Sequence, residues 1–179
     1  MELYHGTTQI ICEIDLTKGR HHTDFGQGFY LGSNLNVAQR WAKSRAAFSG
    51  KPLVLRYTLD DGIFSDEKAK PLVFNEPTLE WLSFVCGNRR KGKPYNHLRH
   101  MHGIVQGPIA NDKVNFVVVD YMKGLITAEE AIAQVKTLPN VLQISLHTPR
   151  ALTYLHISDV WYQEQFANGE WSGWICLSE

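Results

Sequence analysis

The stretch GQGFYLGSN, residues 26–34, combines glycines with a short apolar run. An apolar run bounded by glycine and serine predicts a β-strand, here Phe29 to Leu31. The preceding segment, residues 19–28, is rich in Gly, His and Asp, which is a composition typical of a loop. Tyr30 is therefore expected on a short strand, beside that loop.

A helix is predicted directly after this strand, over residues 35–47. Its apolar residues recur at the spacing of one helix face, and they are Val37, Ala38, Trp41 and Ala42. Ser33 or Asn34 can cap the first turn, because a short polar side chain accepts a hydrogen bond from a free backbone N–H. The spacing predicts that Trp41 lies on the buried face of the helix.

The stretch LYHGT, residues 3–7, mixes apolar and polar residues at the start of the chain. This pattern predicts a first strand that ends at the turn residues Gly6, Thr7 and Thr8. His5 is then expected at the end of that strand.

The rest of the chain carries both strand and helix patterns. Strands are predicted at residues 53–59, 103–105, 114–119, 141–146 and 156–165. Helices are predicted at residues 78–86 and 127–135, the second of them beginning with the capping box Thr127 and Glu130. Thr148 followed by Pro149 predicts a further helix start. We expect one mixed α+β domain, residues 1–179, without repeats.

The composition excludes several classes of protein. Lys plus Arg and Asp plus Glu both number 18 among 179 residues, so any binding of nucleic acid must come from a local patch of charge. No segment approaches the roughly 18 to 20 apolar residues of a membrane span, so no membrane association is expected. Three cysteines without CxxC spacing predict neither a disulfide framework nor a zinc site, and they favour the cytoplasm. The histidines at 21–22 and 97–102 lack metal-site spacing, so no metal is predicted.

Three separated motifs resemble the ADP-ribosyltransferase superfamily, on its diphtheria-toxin and poly(ADP-ribose) polymerase side. The first is HGT, residues 5–7, which is similar to the opening His-Gly-Ser/Thr motif of that superfamily. The resemblance implies that His5 holds a ribose hydroxyl of NAD and that Gly6 and Thr7 also bind NAD. Glycine suits the contact with the nicotinamide carboxamide, because its backbone can approach a ligand closely.

The second motif is GQGFYLGSN, which is similar to the Gly-x-Gly-x-Tyr element of the superfamily. The resemblance implies that Gly28 and Tyr30 contact NAD and that the tyrosine ring stacks on nicotinamide. Trp41 follows Tyr30 by eleven positions and occupies the place of the second aromatic residue of the family. Two aromatic faces can hold a flat cationic ring through their π-systems.

The third motif is LQISLHTPRAL, residues 142–152, where Gln143 occupies the place of the catalytic glutamate of the superfamily. A glutamate bonds a ribose hydroxyl and stabilises the positive charge that grows as nicotinamide leaves, whereas glutamine keeps only the hydrogen bond. Glu164, in WYQEQ, is the alternative if a carboxylate comes from the next strand. Gln143 is the favoured of the two, and the expected catalytic residues are His5, Tyr30 and Gln143.

The chain is also similar to a little-characterised bacterial branch of the superfamily, which shares GR…DFGxGFY, WLxFV…NR, IVxGPxAxD and QIxxHT. In this branch Arg20 and Phe25 would line the loop that binds NAD, and the planar fork of arginine suits a pyrophosphate. The resemblance covers roughly residues 3–155. It implies a split β-sheet core with flanking helices.

The expected function is that of a mono-ADP-ribosyltransferase, which moves ADP-ribose from NAD to a protein or nucleic-acid acceptor. The resemblance further implies a bacterial toxin or defence effector with a small antitoxin protein as partner. Gln143 in place of a carboxylate leaves open an inactive module that binds NAD or ADP-ribose. An NAD-dependent RNA 2′-phosphotransferase is a third reading, but only Arg20 supplies the basic charge that its cleft needs. The basic stretch at residues 88–102, with Tyr95, is predicted to be a surface loop or a nucleic-acid contact.

Overall fold

The computed structural model describes residues 1–90, 100–108, 112–137 and 141–177, and within them the chain is mixed α+β. The strands are β1 Glu2–Thr7, β2 Phe29–Gly32, β3 Leu53–Leu59, β4 Leu72–Val73, β5 Ile104–Pro108, β6 Leu142–Leu146, β7 Leu155–Tyr162 and β8 Ile175–Leu177. The helices are α1 Leu35–Ala46, α2 Leu79–Arg89, α3 Asp112–Met122, α4 Ala128–Lys136 and α5 Pro149–Leu152.

All eight strands belong to one mostly antiparallel sheet, whose order is β4-β5-β6-β2-β1-β3-β7-β8. β1 and β2 lie at its centre and share a single ladder pair, Tyr4 with Gly32. On its other side β1 pairs with β3 along its whole length, from Glu2 to Thr7. The pairing between β1 and β2 is limited to Tyr4 and Gly32, and we call the unpaired stretch of the two strands toward Thr7 and Phe29 the central gap.

Each face of the sheet is covered by its own apolar cluster. One face carries Leu3, Phe29 and Leu55 among other buried residues. The opposite face, which carries the ring of Tyr30, packs against a cluster from α2, α3 and α4 that includes Trp81. α1 covers β1 on the same face as that second cluster. A candidate site at the central gap is therefore flanked by two rigid layers of helix.

α1 packs against β1 through small residues. A Cβ atom at Gly6 would lie 2.2 Å from the carbonyl oxygen of Ala38, and the buried residues of the helix are Ala38 and Ala42. Trp41 is about 100° around the helix from Ala42 and is 46% exposed. The prediction that Trp41 faces the core is wrong, because an indole has no room where two backbones approach so closely.

Residues 114–119 were predicted as a strand but belong to α3. Val114, Val117 and Val118 are buried at helical spacing, whereas Phe116 is exposed. Valine costs a helix less than about 1 kcal/mol per residue. Burial of these side chains against α2 and α4 outweighs that preference, which local sequence cannot reveal.

Local signals at helix ends were confirmed. Thr127 and Glu130 form both hydrogen bonds of a capping box at α4, and Thr148 caps α5 with Pro149 in its first turn. Asn34, rather than Ser33, caps α1. The short edge strands β4 and β8 were not predicted. In the part of the chain that the structure describes, no helix combines the length and apolarity needed to cross a membrane.

Gly6→Ala tests the seating of α1. The added methyl group would meet backbone, which cannot move aside as a side chain does, so we expect a loss of about 1–3 kcal/mol in the free energy of unfolding. Urea denaturation measures the change. Gly87→Ala in α2 is the matched control, because its Cβ would meet nothing within 4 Å and alanine favours a helix by up to about 1 kcal/mol. Equal stability of the two variants would contradict this packing.

Candidate functional site

His5 lies where β1 and β2 part. Its Nδ1–H donates a hydrogen bond to the carbonyl oxygen of Tyr30 at 2.7 Å, and its ring stacks on Phe29 at a centroid distance of 4.6 Å. Because Nδ1 carries the proton, Nε2 presents a lone pair. Burial is the main cause that lowers the pKa of His5, and the charge of Arg45 adds to it. His5 is therefore a neutral hydrogen-bond acceptor at pH 7.

Tyr30 is held by its own loop. Its hydroxyl donates to the carbonyl oxygen of Gly26 at 2.6 Å, accepts from the backbone N–H of Phe25 at 2.9 Å and lies 2.8 Å from Thr23 Oγ1. Its ring stacks on Phe25 with an interplanar angle of 17°. Because these contacts engage the hydroxyl, Tyr30 can serve a ligand through its ring. The rings of His5 and Tyr30 lie on opposite faces of the sheet, and the two residues meet through the Tyr30 carbonyl.

Gln143 lies on β6, on the same face of the sheet as Tyr30. Its direct neighbours across both strand pairs are glycines, Gly32 on β2 and Gly107 on β5. A Cβ atom at Gly32 would meet only the carbonyl oxygen of Leu142, at 3.8 Å. The backbone beside Gln143 is therefore open on the β2 side, whereas Phe25 and Phe74 cover it on the β5 side.

The amide of Gln143 is buried without a complete set of hydrogen bonds. The residue is 9% exposed, and its Nε2 has no hydrogen-bond partner among the described residues. An unpaired buried amide N–H costs about 1–3 kcal/mol. Trp81 Nε1 and Trp161 Nε1 are also buried and unpaired, so it is the position of the Gln143 amide that distinguishes it. The position of this amide, next to the open backbone on the β2 side and to Tyr30, is that of a donor waiting for an acceptor.

Glu164 lies elsewhere. It is an exposed residue just past the end of β7, three strand positions from β2 in the sheet order. At about 4.8 Å per strand this is a separation of roughly 14 Å across the sheet. The structure thus brings Gln143, and not Glu164, next to Tyr30.

Trp41 and Arg20 form one exposed pair. The guanidinium of Arg20 lies 5.7 Å from the centroid of the Trp41 ring, within cation–π range. Arg45 is one turn further along α1, on the same flank of the helix as Trp41. α1 packs on β1 at Gly6, so the helix lies beside the central gap.

The other predicted site residues have structural roles. Phe25 is fully buried beneath Tyr30, so it supports the loop and does not face the gap. Gly28 makes room for His147, whose Nδ1 would lie 2.7 Å from an added Cβ atom. Gly6 makes room for α1, and the Thr7 hydroxyl accepts a hydrogen bond from the backbone N–H of Gln9.

Histidines that sequence reasoning did not assign a role bind the loop at residues 23–28. His147 donates Nδ1–H to the carbonyl oxygen of Gln27 at 2.8 Å, and its Nε2 accepts from the Ser145 hydroxyl at 2.7 Å. His100 donates Nε2–H to the carbonyl oxygen of Phe25 at 2.8 Å. The backbone carbonyls of this loop are therefore bound by side chains from distant parts of the chain.

Residues of the last turn of α2 and of α3 also bind this loop. We call these residues, together with His100 and His147, the loop clamp. Arg89 donates from Nε to the carboxylate of Asp24 at 2.7 Å and from Nη1 to Asn115 at 2.7 Å. Asn88 donates to the carbonyl oxygen of Asp24 at 3.3 Å. Residues of the motifs DFGxGFY, NR and QIxxHT thus meet around one loop. The sequence signal for these contacts was the presence of all three motifs in one chain.

Three of the described histidines lie close together. The rings of His100, His102 and His147 cluster, with centroids 4.6 Å apart for His100 and His147. Over residues 1–90, 100–108, 112–137 and 141–177, no group of His, Cys, Asp or Glu is arranged to hold a metal ion. Most of the basic stretch, residues 91–99 with Tyr95 and His97, lies outside the described residues.

Comparison with known proteins gives a family. The model of the family described as "Protein of unknown function (DUF3990)" matches residues 1–157. The chain belongs to this family. The DUF3990 match spans His5, Tyr30, Trp41 and Gln143, whereas β8 lies beyond it. No curated protein and no solved structure matches the chain.

The loop clamp predicts a dependence of stability on pH. Burial lowers the pKa of His147 to about 3, against about 6.5 in an unfolded chain. The unfolded state therefore binds the extra proton as the pH falls below about 6.5, and the stability present above that pH is lost on acidification. Between pH 7 and pH 5 we expect this group alone to cost about 2 kcal/mol.

Urea unfolding of His147→Asn at both pH values tests this expectation. Asparagine keeps an N–H near Gln27 but cannot take up a proton. Between pH 7 and pH 5 the free energy of unfolding of this variant should therefore fall by about 2 kcal/mol less than that of the unaltered protein. His156→Asn, at an exposed position on β7, is the control and should leave the pH dependence unchanged. Identical pH dependence of the His147 variant and the unaltered protein would refute this account.

Proposed function

We propose that this member of DUF3990 is a mono-ADP-ribosyltransferase that moves ADP-ribose from NAD to a macromolecular acceptor. The observation that carries the proposal is the buried, unpaired amide of Gln143 beside the ring of Tyr30. A flat aromatic ring and a hydrogen-bond donor next to open backbone suit a flat amide-bearing ring attached to a sugar. The motif resemblance supplies the identity of that ligand as NAD.

The remaining groups around the gap suit the same ligand. The resemblance assigns Nε2 of His5 to a ribose hydroxyl, and Nε2 is free to accept because Nδ1–H is held by the Tyr30 carbonyl. Since the His5 ring lies on the opposite face of the sheet from the Tyr30 ring, the ligand must reach it through the central gap. The ring of Trp41 supplies the second aromatic face, and Arg20 beside it pairs with the pyrophosphate. Neutral His5 and neutral Gln143 place no positive charge at the ribose, which suits a reaction in which that ribose becomes cationic.

Gln143 supports the transfer step by position and hydrogen bonding. The bond from ribose C1′ to the nicotinamide nitrogen breaks, nicotinamide leaves with the electron pair, and a nucleophile of the acceptor bonds to C1′ and gives up its proton. The Gln143 amide holds a ribose hydroxyl during this step but adds no negative charge. We therefore expect slower transfer than a carboxylate at this position would give.

A second candidate function follows from the same amide. A neutral glutamine suits a module that binds NAD or ADP-ribose without breaking the glycosidic bond. Release of nicotinamide from NAD discriminates between the two functions, because a binding module releases none. The resemblance also favours a cytoplasmic toxin or defence role with a small protein partner, and both remain part of this proposal.

Gln143→Leu should separate folding from function. Leucine removes the unpaired buried amide while nearly keeping its volume, so the free energy of unfolding should rise by about 1 kcal/mol or more. Nicotinamide release should fall by the equivalent of roughly 2–4 kcal/mol, typical of losing one transition-state hydrogen bond. Gln143→Glu loses the N–H donor but keeps an oxygen that accepts from the ribose hydroxyl and adds the missing charge, so nicotinamide release should be retained.

Glu164→Gln is the control for this series and should leave nicotinamide release unchanged. Loss of activity in Glu164→Gln together with full activity in Gln143→Leu would show that Glu164, and not Gln143, is the third catalytic residue. A destabilised Gln143→Leu variant would show instead that the amide has a partner that stabilises the native fold.

We expect the ring of Tyr30 to stack on the ligand and its hydroxyl to hold the loop in place. Tyr30→Phe keeps the ring and loses the hydroxyl contacts, so we expect lower thermal stability with nicotinamide release retained. Tyr30→Ala loses both, and NAD binding measured by calorimetry should disappear. Tyr4→Phe is the control, because its hydroxyl makes only an exposed bond to Glu2. Unchanged NAD binding in a folded Tyr30→Ala variant would rule out the stacking role.

A further inference from the structure

Positive charge is concentrated in one part of this neutral chain. Residues 16–52 contain six Lys or Arg residues and a single acid, Asp24, although the whole chain has 18 of each sign. Asp24 is buried and already paired with Arg89. The cations of this segment therefore meet no acidic side chain from the same part of the sequence.

These cations are exposed, and three of the six lie on the helix beside the central gap. The six are Lys18, Arg20, Arg40, Lys43, Arg45 and Lys51. The ion pairs among the described residues involve none of them. Arg40, Lys43 and Arg45 lie on α1, which forms one side of the gap. The surface thus carries uncompensated charge directly beside the candidate site.

Helix electrostatics accounts for only part of this pattern. Lys43 and Arg45 lie in the last turn of α1, where a cation favours the helix dipole. Arg20, Arg40 and Lys51 lie outside that turn, so the dipole gives no reason for them. A clustered positive surface does attract polyanions, and it raises their local concentration.

An exposed aromatic residue stands within this cluster. Phe48 is 90% exposed and follows the end of α1, between Arg45 and Lys51 in the sequence. Its backbone N–H bonds the carbonyl oxygen of Arg45 at 3.1 Å, which fixes its place at the helix end. A phenylalanine that contributes so little to the core, flanked by cations, matches the stacking platforms that hold unpaired bases.

We propose that Arg40, Arg45, Phe48 and Lys51, the cationic α1 surface, bind single-stranded nucleic acid as the acceptor of ADP-ribose. The acceptor role rests on the proposed transferase function, whereas binding by the surface does not. Arg45 is one helical turn from Trp41, on the helix that packs on β1 beside the central gap. A strand that follows the cations along α1 therefore brings a base to the edge of the site.

Two other ligands explain the surface less well. The pyrophosphate of NAD carries two charges, and Arg20 beside Trp41 is already placed for it. An acidic protein would pair with the cations but has no use for a phenylalanine that stacks on flat rings. Nucleic acid uses both features, because phosphates meet the cations and unpaired bases stack on the aromatic ring.

Fluorescence anisotropy with labelled oligonucleotides tests the binding surface in the absence of NAD. Mixed-sequence DNA and RNA single strands of about 20 nucleotides exceed the usual site of about 4–16 nucleotides. We expect Arg40→Gln with Lys51→Gln to weaken binding roughly tenfold and to reduce the dependence on salt by about two phosphate contacts. Phe48→Ala should weaken binding of single strands and leave a duplex of the same sequence unaffected.

Lys68→Gln with Lys123→Gln is the matched control, because it removes two exposed cations outside the surface. This control should bind the oligonucleotides like the unaltered protein. Absence of oligonucleotide binding by the unaltered protein, or equal weakening in the control, would overturn the proposal. Equal binding of duplex and single strand, with no effect of Phe48→Ala, would overturn the assignment to single strands.

Transfer of label from NAD carrying labelled adenylate, in a nuclease-treated or protease-treated lysate, tests the acceptor. We expect the label to be lost on nuclease treatment and to be reduced at least tenfold by the double variant, with nicotinamide release from NAD alone unchanged. Label that survives nuclease and is lost on protease treatment overturns the nucleic-acid acceptor while the transferase function stands. Oligonucleotide binding without any nicotinamide release would support the proposed binding surface and contradict the proposed transferase function.

Discussion

The candidate site depends on the weak junction between β1 and β2. The two halves of the sheet share one ladder pair at this point, Tyr4 with Gly32. Beyond it the hydrogen bond from His5 to the Tyr30 carbonyl replaces the missing ladder. A continuous ladder would close the gap, and a complete break would leave unpaired backbone in the core. One pair and one side-chain bond hold the strands together while leaving space beside them.

The loop before β2 is irregular, so side chains must hold it in one conformation. Side chains from β6, from the last turn of α2 and from His100 bind its backbone carbonyls. Tyr30 reaches back to the same loop through its hydroxyl. The ring that faces the site is thus positioned by a network of hydrogen bonds, and the conformational entropy of the loop is lost on folding and not on ligand binding.

Stability and function oppose each other at Gln143. Its unpaired amide destabilises the folded protein by about the worth of a lost hydrogen bond, in a chain whose total stability is small. Gly32 leaves the β2 side of that amide without a side chain directly across the strand pair, whereas Phe25 and Phe74 pack over Gly107 on the β5 side.

The sequence by itself determined those features that depend on neighbours along the chain. The strands at Phe29 and Leu53, the cap of α4 and the helix after Asn34 follow from local periodicity and capping, and the structure has them where they were predicted. Tertiary structure decided the rest. Packing made residues 114–119 a helix, turned Trp41 outward, and gathered residues 24, 89 and 147 around one loop. Burial and long-range contact set these outcomes, and both depend on partners far away in the sequence.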